Sequence, residues 1–207
     1  MRPIMITLLL GLALSGCGGS GAATPEPPST AVPDISLPAG PLRDLVPATA
    51  DLPPGMVPIL SGSGSRDADA VAAYSADPVT AKVLLGQHGF TGAYVGQYAD
   101  PADGRVLSVV VSRFATTAGA AADLAGDLTG SGGTRVATPT LGEQSEVRRQ
   151  PLPAASPTST STGELVTVRF RQGDTTWLVA YGASPTADPQ VATAVAQRLL
   201  SKAAAAA

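Results

Sequence analysis

The stretch Glu164-Leu-Val-Thr-Val-Arg-Phe-Arg-Gln172, Gly173-Asp174, Thr175-Thr-Trp-Leu-Val-Ala-Tyr181 decides the fold class. Two runs rich in β-branched and aromatic residues flank a Gly-Asp pair that fits a two-residue primed turn, the connection whose twist matches antiparallel strands. A two-residue turn sets register, and register sets faces. Phe170 falls opposite Trp177, Val168 opposite Val179 and Val166 opposite Tyr181 on one side. The other side carries Thr167, Arg169 and Arg171 opposite Ala180, Leu178 and Thr176. The first side is the core face, and the second meets solvent or a partner. On this reading Trp177→Ala removes core, whereas Arg169→Ala costs little.

Working outward, Asp188-Pro189 opens a last helix with Val191, Val195 and Leu199 on one stripe and Leu200 beside it. The same Asp-Pro start occurs at Asp77-Pro78, ahead of Val-Thr-Ala-Lys-Val-Leu-Leu85, and Gln87-His88-Gly89 stops that helix. A shorter helix is predicted over Asp67–Tyr74. Strands over Tyr94–Ala99 and Arg105–Phe114 flank Asp100-Pro-Ala-Asp-Gly104, whose Pro and Gly favour a hairpin turn. Thr116 or Thr117 then caps a helix to Leu128, with Ala121, Leu124, Ala125 and Leu128 as its apolar stripe and Gly130-Ser-Gly-Gly133 as its end. Residues 134–150 supply one or two further strands. Pro151 to Gly163, rich in Pro, Ser and Thr, reads as a mobile surface loop.

The order is helix, hairpin, helix, strands, hairpin, helix. That predicts an α+β fold: an antiparallel sheet built from two hairpin-plus-helix units, a weak internal duplication, with the helices packed on one face. A single globular domain is expected over residues 40–203, large enough for one core. Residues 38–60 mix Leu42, Leu45, Val46, Leu52, Met56, Val57, Ile59 and Leu60 with several prolines, so they should lie extended over the domain.

The beginning of the chain is of a different kind. Met1 to Leu14 has one early positive charge, Arg2, and then an apolar run too short to cross roughly 30 Å of hydrocarbon comfortably. It reads as a secretion signal over residues 1–16. Leu14-Ser15-Gly16-Cys17 follows and resembles the lipobox of bacterial lipoproteins, with small residues where the signal peptidase needs them. The resemblance implies cleavage before Cys17, a diacylglycerol on its sulfur, and a mature protein anchored by lipid on the outer side of a cell membrane. Cys17 is the single cysteine, so no internal disulfide forms. Residues 17–39, opening Cys-Gly-Gly-Ser-Gly-Ala-Ala-Thr-Pro-Glu-Pro-Pro, hold little that could bury apolar surface and read as a disordered tether.

The segment Leu141-Gly-Glu-Gln-Ser145, the Arg-Gln-Gly-Asp turn and the terminal helix also resemble, over about 65 residues, the C-terminal half of uncharacterised lipoproteins and sensor-like extracytoplasmic modules of high-GC Gram-positive bacteria. High Ala, Gly and Pro with few Lys agrees with such a source. The resemblance implies location and a binding or sensing role, and brings no site residue with it.

Composition narrows the chemistry. Loss of Arg2 with the leader takes the formal charge from −3 to near −4, with no basic block, which argues against nucleic acid as a partner. One His and one lipidated Cys leave no ligand set for zinc, copper or haem, and no cofactor is expected. A serine hydrolase would need His88 as its base without a visible nucleophile elbow. At a helix end the imidazole suits the negative pole of the dipole instead. The carboxylate pairs Glu143/Glu146 and Asp100/Asp103 read as solvated turn acids rather than glycosidase pairs. Ser61-Gly-Ser-Gly-Ser65 and Gly130-Ser-Gly-Gly133 lack the Lys and Ser/Thr of a phosphate loop. What remains is one concentration of positive charge, Arg148, Arg149, Arg169 and Arg171, which is either a solvated strand face or a binding face for an anionic ligand or headgroup. The expectation is a non-catalytic domain that binds an unidentified ligand or envelope protein, or else an accessory subunit of an envelope complex.

Overall fold

A computed structural model describes residues 36–130, 132–152 and 163–205. The leader, Cys17, nearly all of the expected tether and most of the 151–163 segment lie outside the described residues. In chain order the elements are β1 (Val57–Pro58), β2 (Gly64–Arg66), α1 (Ala68–Ala72), α2 (Pro78–Gln87), β3 (Phe90–Ala99), β4 (Val106–Phe114), α3 (Thr117–Gly130), β5 (Thr134–Val136), β6 (Gln144–Pro151), β7 (Glu164–Gln172), β8 (Thr175–Ala183) and α4 (Pro189–Ala205). The strands form one eight-stranded antiparallel sheet in the order β1-β3-β4-β8-β7-β6-β5, with β2 also pairing with β3. The α+β class and its antiparallel sheet are those expected.

The deciding hairpin has the expected register: Phe170 opposite Trp177, Val168 opposite Val179, Val166 opposite Tyr181. Gly173 makes the turn at φ 60°, a conformation that carries no Cβ penalty only in glycine. Continuing that register across the sheet, Tyr94, Tyr98, Leu107, Val109, Val111 and Val147 join the same face, and all are buried. Two things cover this face. One is α4, which buries Ala192, Val195, Ala196 and Leu199. The other is the proline-rich segment from Leu37 to Met56, extended apart from short 3-10 turns at Arg43–Leu45 and Thr49–Asp51. Its apolar side chains cannot form a long helix between prolines, so they are pressed flat onto the sheet. Polar tips of the core aromatics fasten it: Tyr94 donates to the Pro38 carbonyl at 2.6 Å, Tyr98 to that of Pro47 at 2.7 Å, and Trp177 Nε1–H to that of Leu45 at 3.2 Å.

The opposite face follows a different rule. It carries Ser108, Val110, Ser112 and Phe114 from β4, Thr176, Leu178 and Ala180 from β8, and Thr167, Arg169 and Arg171 from β7. The expectation of helices on one face is corrected here, because α3 packs on this second face while α4 packs on the first. Leu37–Met56 and α4 already fill the first face, so Ala120 and Leu124 of α3 have only the second on which to be buried. The internal duplication fails for the same reason: the two hairpin-plus-helix units send their helices to opposite sides of one sheet.

Asp77 and Asp188 cap their helices as expected, and Asp67 caps α1 in the same way. Asp67 accepts from Ala70 N–H at 2.8 Å, Asp77 from Thr80 N–H at 3.1 Å, and Asp188 from Gln190 N–H at 2.8 Å. Thr116, rather than Thr117, caps α3, accepting from Gly119 N–H at 3.1 Å. Helices α1 and α2 close the end of the second face around a small separate core of Ala72, Leu85, Phe114 and Ala120, with Phe90 edge-on to Phe114 at 5.8 Å. Helix α2 ends hard against the start of α3. Ala115 N–H donates to the Gly89 carbonyl at 2.7 Å, and any side chain at Gly119 would collide with the His88 carbonyl oxygen.

Candidate functional site

The four arginines singled out in the sequence do not stand together as an open cationic patch. Strand pleating puts Arg148, Arg169 and Arg171 on the second face and Arg149 on the first. Each meets an acid. Arg148 is hydrogen-bonded to Glu146, Arg169 Nε lies 3.8 Å from Asp127 Oδ2, Arg171 pairs with Glu143, and Arg149 Nε lies 3.6 Å from Glu164 Oε2. The reading of Arg169 and Arg171 as solvated is corrected, since their side chains are only 13% and 11% exposed. Tertiary packing of α3 decides this; the alternation of the strand is the same under either reading.

In each carboxylate pair one acid is buried, Asp100 and Glu146, against the solvated reading, while its neighbour, Asp103 or Glu143, keeps 62% or 39% of its side chain exposed and is ion-paired. Asp100 is 3% exposed and organises its hairpin turn, accepting from Ala102 N–H at 2.9 Å and from Arg105. The Arg105 hydrogen bond holds its carboxyl below the ordinary range. Asp103 shares the same arginine at 3.1 Å. Glu146 is 8% exposed between Arg148 and Arg135, and Glu143 accepts from Gly173 N–H at 3.0 Å, which lowers its carboxyl, with Arg171 adding to the effect. Neither pair presents two free carboxylates to a glycosidic bond.

The charged layer between α3 and the sheet is the most distinctive feature of the second face, and the sequence reading missed half of it. Asp123 and Asp127, one turn apart, belong to the inner side of α3 together with Ala120 and Leu124, whereas Ala125 of the expected stripe is exposed. Asp127 faces Arg169. Asp123 faces the His88 ring, Nδ1 to Oδ1 at 3.5 Å. His88 does end α2, its backbone N–H donating to the Leu84 carbonyl at 2.9 Å, but its imidazole crosses to α3 instead of resting on its own helix pole. Arg148 Nη2 reaches the Leu128 carbonyl near the end of α3 at 3.5 Å, and Arg169 Nη1 donates to Thr167 Oγ1 at 3.2 Å.

This layer shifts its own titrations. Burial, then the neighbouring Asp127, pushes Asp123 up to about 7. Burial also raises Asp127, with Arg169 opposing. Arg169 is drawn down, by burial first, against the pull of Asp127. The signal that could have exposed the layer is the pair Asp123 and Asp127 at i, i+4 beside Leu124 and Leu128, acids bordering an apolar stripe where alanines would serve. Among the described residues, no three of His, Cys, Asp and Glu come together as a metal-ligand group.

Because Arg169 holds α3 to the sheet, Arg169→Ala should destabilise the fold by about 1–2 kcal/mol. A fully buried pair broken on one side costs about 3–5 kcal/mol, and Asp127, 39% exposed, can turn partly to water. Urea unfolding measures this directly, and an unchanged midpoint would contradict the docking of α3 on Arg169.

No protein-family model matches the chain, and no curated relative is found. One solved structure is similar, the extracellular domain of PknH from Mycobacterium tuberculosis, at 12% identity and a TM-score of 0.43, covering 75% of this chain and 92% of that one. A likeness of that degree assigns neither fold nor function.

Proposed function

We propose that this chain is a lipid-anchored extracytoplasmic protein whose globular part is a non-catalytic ligand-binding or sensing domain, with the α3 side of the sheet as its contact surface. The observation that carries the reading is Leu14-Ser15-Gly16-Cys17 directly after a short apolar leader. The layout of the domain supports the rest. The first face is taken up by α4 and the Leu37–Met56 segment, and on the second the ion pairs of Glu146, Arg148, Arg169 and Arg171 lie under or beside α3, which leaves the outer side of α3 and its rim as the surface a partner would meet. His88, the single histidine, is engaged with Asp123, and among the described residues no hydroxyl or thiol nucleophile is bonded to its ring. A second reading, an accessory subunit of an envelope complex, is favoured by Tyr74, Val79 and Val83, large apolar side chains exposed on α2 and the turn before it.

Two measurements test the proposal. A screen of esterase, peptidase and phosphatase substrates is expected to show no turnover. Activity abolished by His88→Ala in a folded protein would replace the binding reading with a hydrolase, since loss of a catalytic base removes orders of magnitude of rate. Pull-down of the protein from native membranes separates the remaining readings: a co-purifying small molecule or lipid supports the binding domain, and a stoichiometric envelope protein supports the accessory subunit.

A further inference from the structure

We infer that the β1–β2 edge of the domain, together with the outer side of α2, seats on the lipid surface that holds Cys17. The inference rests on the lipid-anchor reading proposed above and adds which side of the domain meets the bilayer. Among the described residues, the large apolar side chains left exposed are Leu60, Tyr74, Val79 and Val83, between 41% and 76% open to solvent. All four fall on one stretch of chain, from the 3-10 turn Leu60–Gly62, which joins β1 to β2, through α2. The opposite edge at β5 and β6, and helices α3 and α4, contribute none.

Helix α2 departs from the usual surface helix, which carries a single apolar stripe. Its inner side, Ala81 and Leu85, packs with Phe90 and Phe114, yet Val79 and Val83 form a second apolar row one turn apart on the outside. Lys82 is the one charged residue within the helix, and its Nζ lies 2.5 Å from Asp69 Oδ1. The outer side of α2 therefore enters a headgroup layer without stranding an unpaired charge, and the long Lys82 stem lets its ammonium stay at the wet level. Tyr74, apolar in its ring and polar at its tip, suits the same boundary.

The position of the anchor selects the occupant. The first described residues enter at this edge: Ser36 and Leu37 line a cavity with Pro58 of β1, and Gly40 sits so close to β2 that a Cβ there would meet the Ser65 hydroxyl. Strand β2 then leads directly into α1 and α2. The link from Gly18 to Ile35 spans at most roughly 70 Å even fully extended, which keeps this edge near the bilayer. A contact made by a chain already anchored is intramolecular, at an effective concentration on the order of millimolar, so a small patch suffices. A protein captured from solution needs more: four partly exposed side chains at roughly 100 Å² each fall well short of the about 800 Å² per partner of a stable interface. Area and anchor position thus favour lipid over the envelope protein of the second reading, and over a second copy of this chain. With Asp67, Asp69 and Asp77 beside Arg66 and Lys82, the edge has no positive excess, and the contact is apolar rather than electrostatic.

The lipidated protein in vesicles of phosphatidylethanolamine and phosphatidylglycerol tests the seat. Cys17, the single cysteine, is taken by the lipid, so a fluorophore goes to one site at a time through Val79→Cys, Val83→Cys or, on the exposed outer side of α3, Ala125→Cys. An apolar face at the headgroup boundary lies about 5–10 Å deep, so lipids carrying a shallow nitroxide should quench the labels at 79 and 83 at least about threefold more than the label at 125. Aqueous iodide should give the reverse order. The pattern should hold from about 0.05 M to about 0.5 M salt, where an electrostatic contact would fade. Adding Val79→Asp should raise iodide access at 83 to that at 125, while the acyl chains keep the protein on the vesicles. Equal iodide access at all three positions, loss of lipid quenching in high salt, protection of 79 and 83 from both quenchers, or photocrosslinking from position 83 in native membranes to a protein in place of lipid would each overturn the seat. Mass spectrometry of the same sample tells the two readings apart: an acylated Cys17 with water-exposed labels removes the seat alone, and an unmodified Cys17 removes the anchor and the seat with it.

Discussion

Trp177→Ala is expected to destabilise the domain by roughly 3–5 kcal/mol, the range for truncation of a large buried side chain. Trp177 is 2% exposed, and its ring stacks on Phe170 with centroids 5.0 Å apart and planes within 1°. Removing it opens a cavity at the centre of the first face and strips Phe170 of its partner. It also breaks the Nε1–H bond to the Leu45 carbonyl, one of the ties that hold the Leu37–Met56 segment to the sheet. The loss is therefore expected in two observables: a lower urea midpoint by circular dichroism, and faster proteolysis within residues 37–56 under native conditions. Trp177→Phe should recover most of the packing but not the hydrogen bond, leaving a deficit of about 1 kcal/mol with the protease sensitivity partly retained. Val83→Ala, at a site 54% exposed, serves as the mild reference. If Trp177→Ala is no worse than Val83→Ala, the assignment of the first face as the core is wrong.

Cys17→Ala is expected to abolish membrane attachment, either releasing the protein or stalling it as an uncleaved precursor. The diacylglycerol implied by the lipobox places two acyl chains in the bilayer, and each buried CH₂ contributes about 0.8 kcal/mol, so its loss lowers membrane partition by many orders of magnitude. Among the described residues no helix is long and apolar enough to cross a membrane. Mass spectrometry of the membrane-extracted wild-type protein should find an acylated N-terminal cysteine. An unmodified thiol recovered from native membranes would remove the lipoprotein reading and, with it, the location assigned to the domain.

Local chemistry made much of the fold legible. The Gly173 turn, the alternation on both sides of it and the Asp-Pro helix starts involve residues within a few positions of one another, and each was found where the sequence placed it. Strand β3 begins at Phe90, four residues earlier than expected, because its pairing with β4 continues beyond Tyr94 across a bulge between Phe90 and Gly92. The site was far less legible. Arg169 looks like any outward strand residue until α3 lies over it, and the inward position of Asp123 and Asp127 depends on which side of α3 meets the sheet.

By itself the sequence determined the class of fold, the register of the central hairpin and the face that became the core, because a primed turn and a two-residue period act over distances the chain spans locally. It also supplied the lipobox pattern from which an anchored protein is proposed. Only the tertiary structure decided that α3 and α4 lie on opposite faces, that Arg149 is separated from Arg148, Arg169 and Arg171, and that the only histidine faces an acid 35 residues away. Those outcomes rest on competition for a finite surface. Once Leu37–Met56 and α4 had covered the first face, α3 could bury Ala120 and Leu124 only on the second, and its two acids went with it.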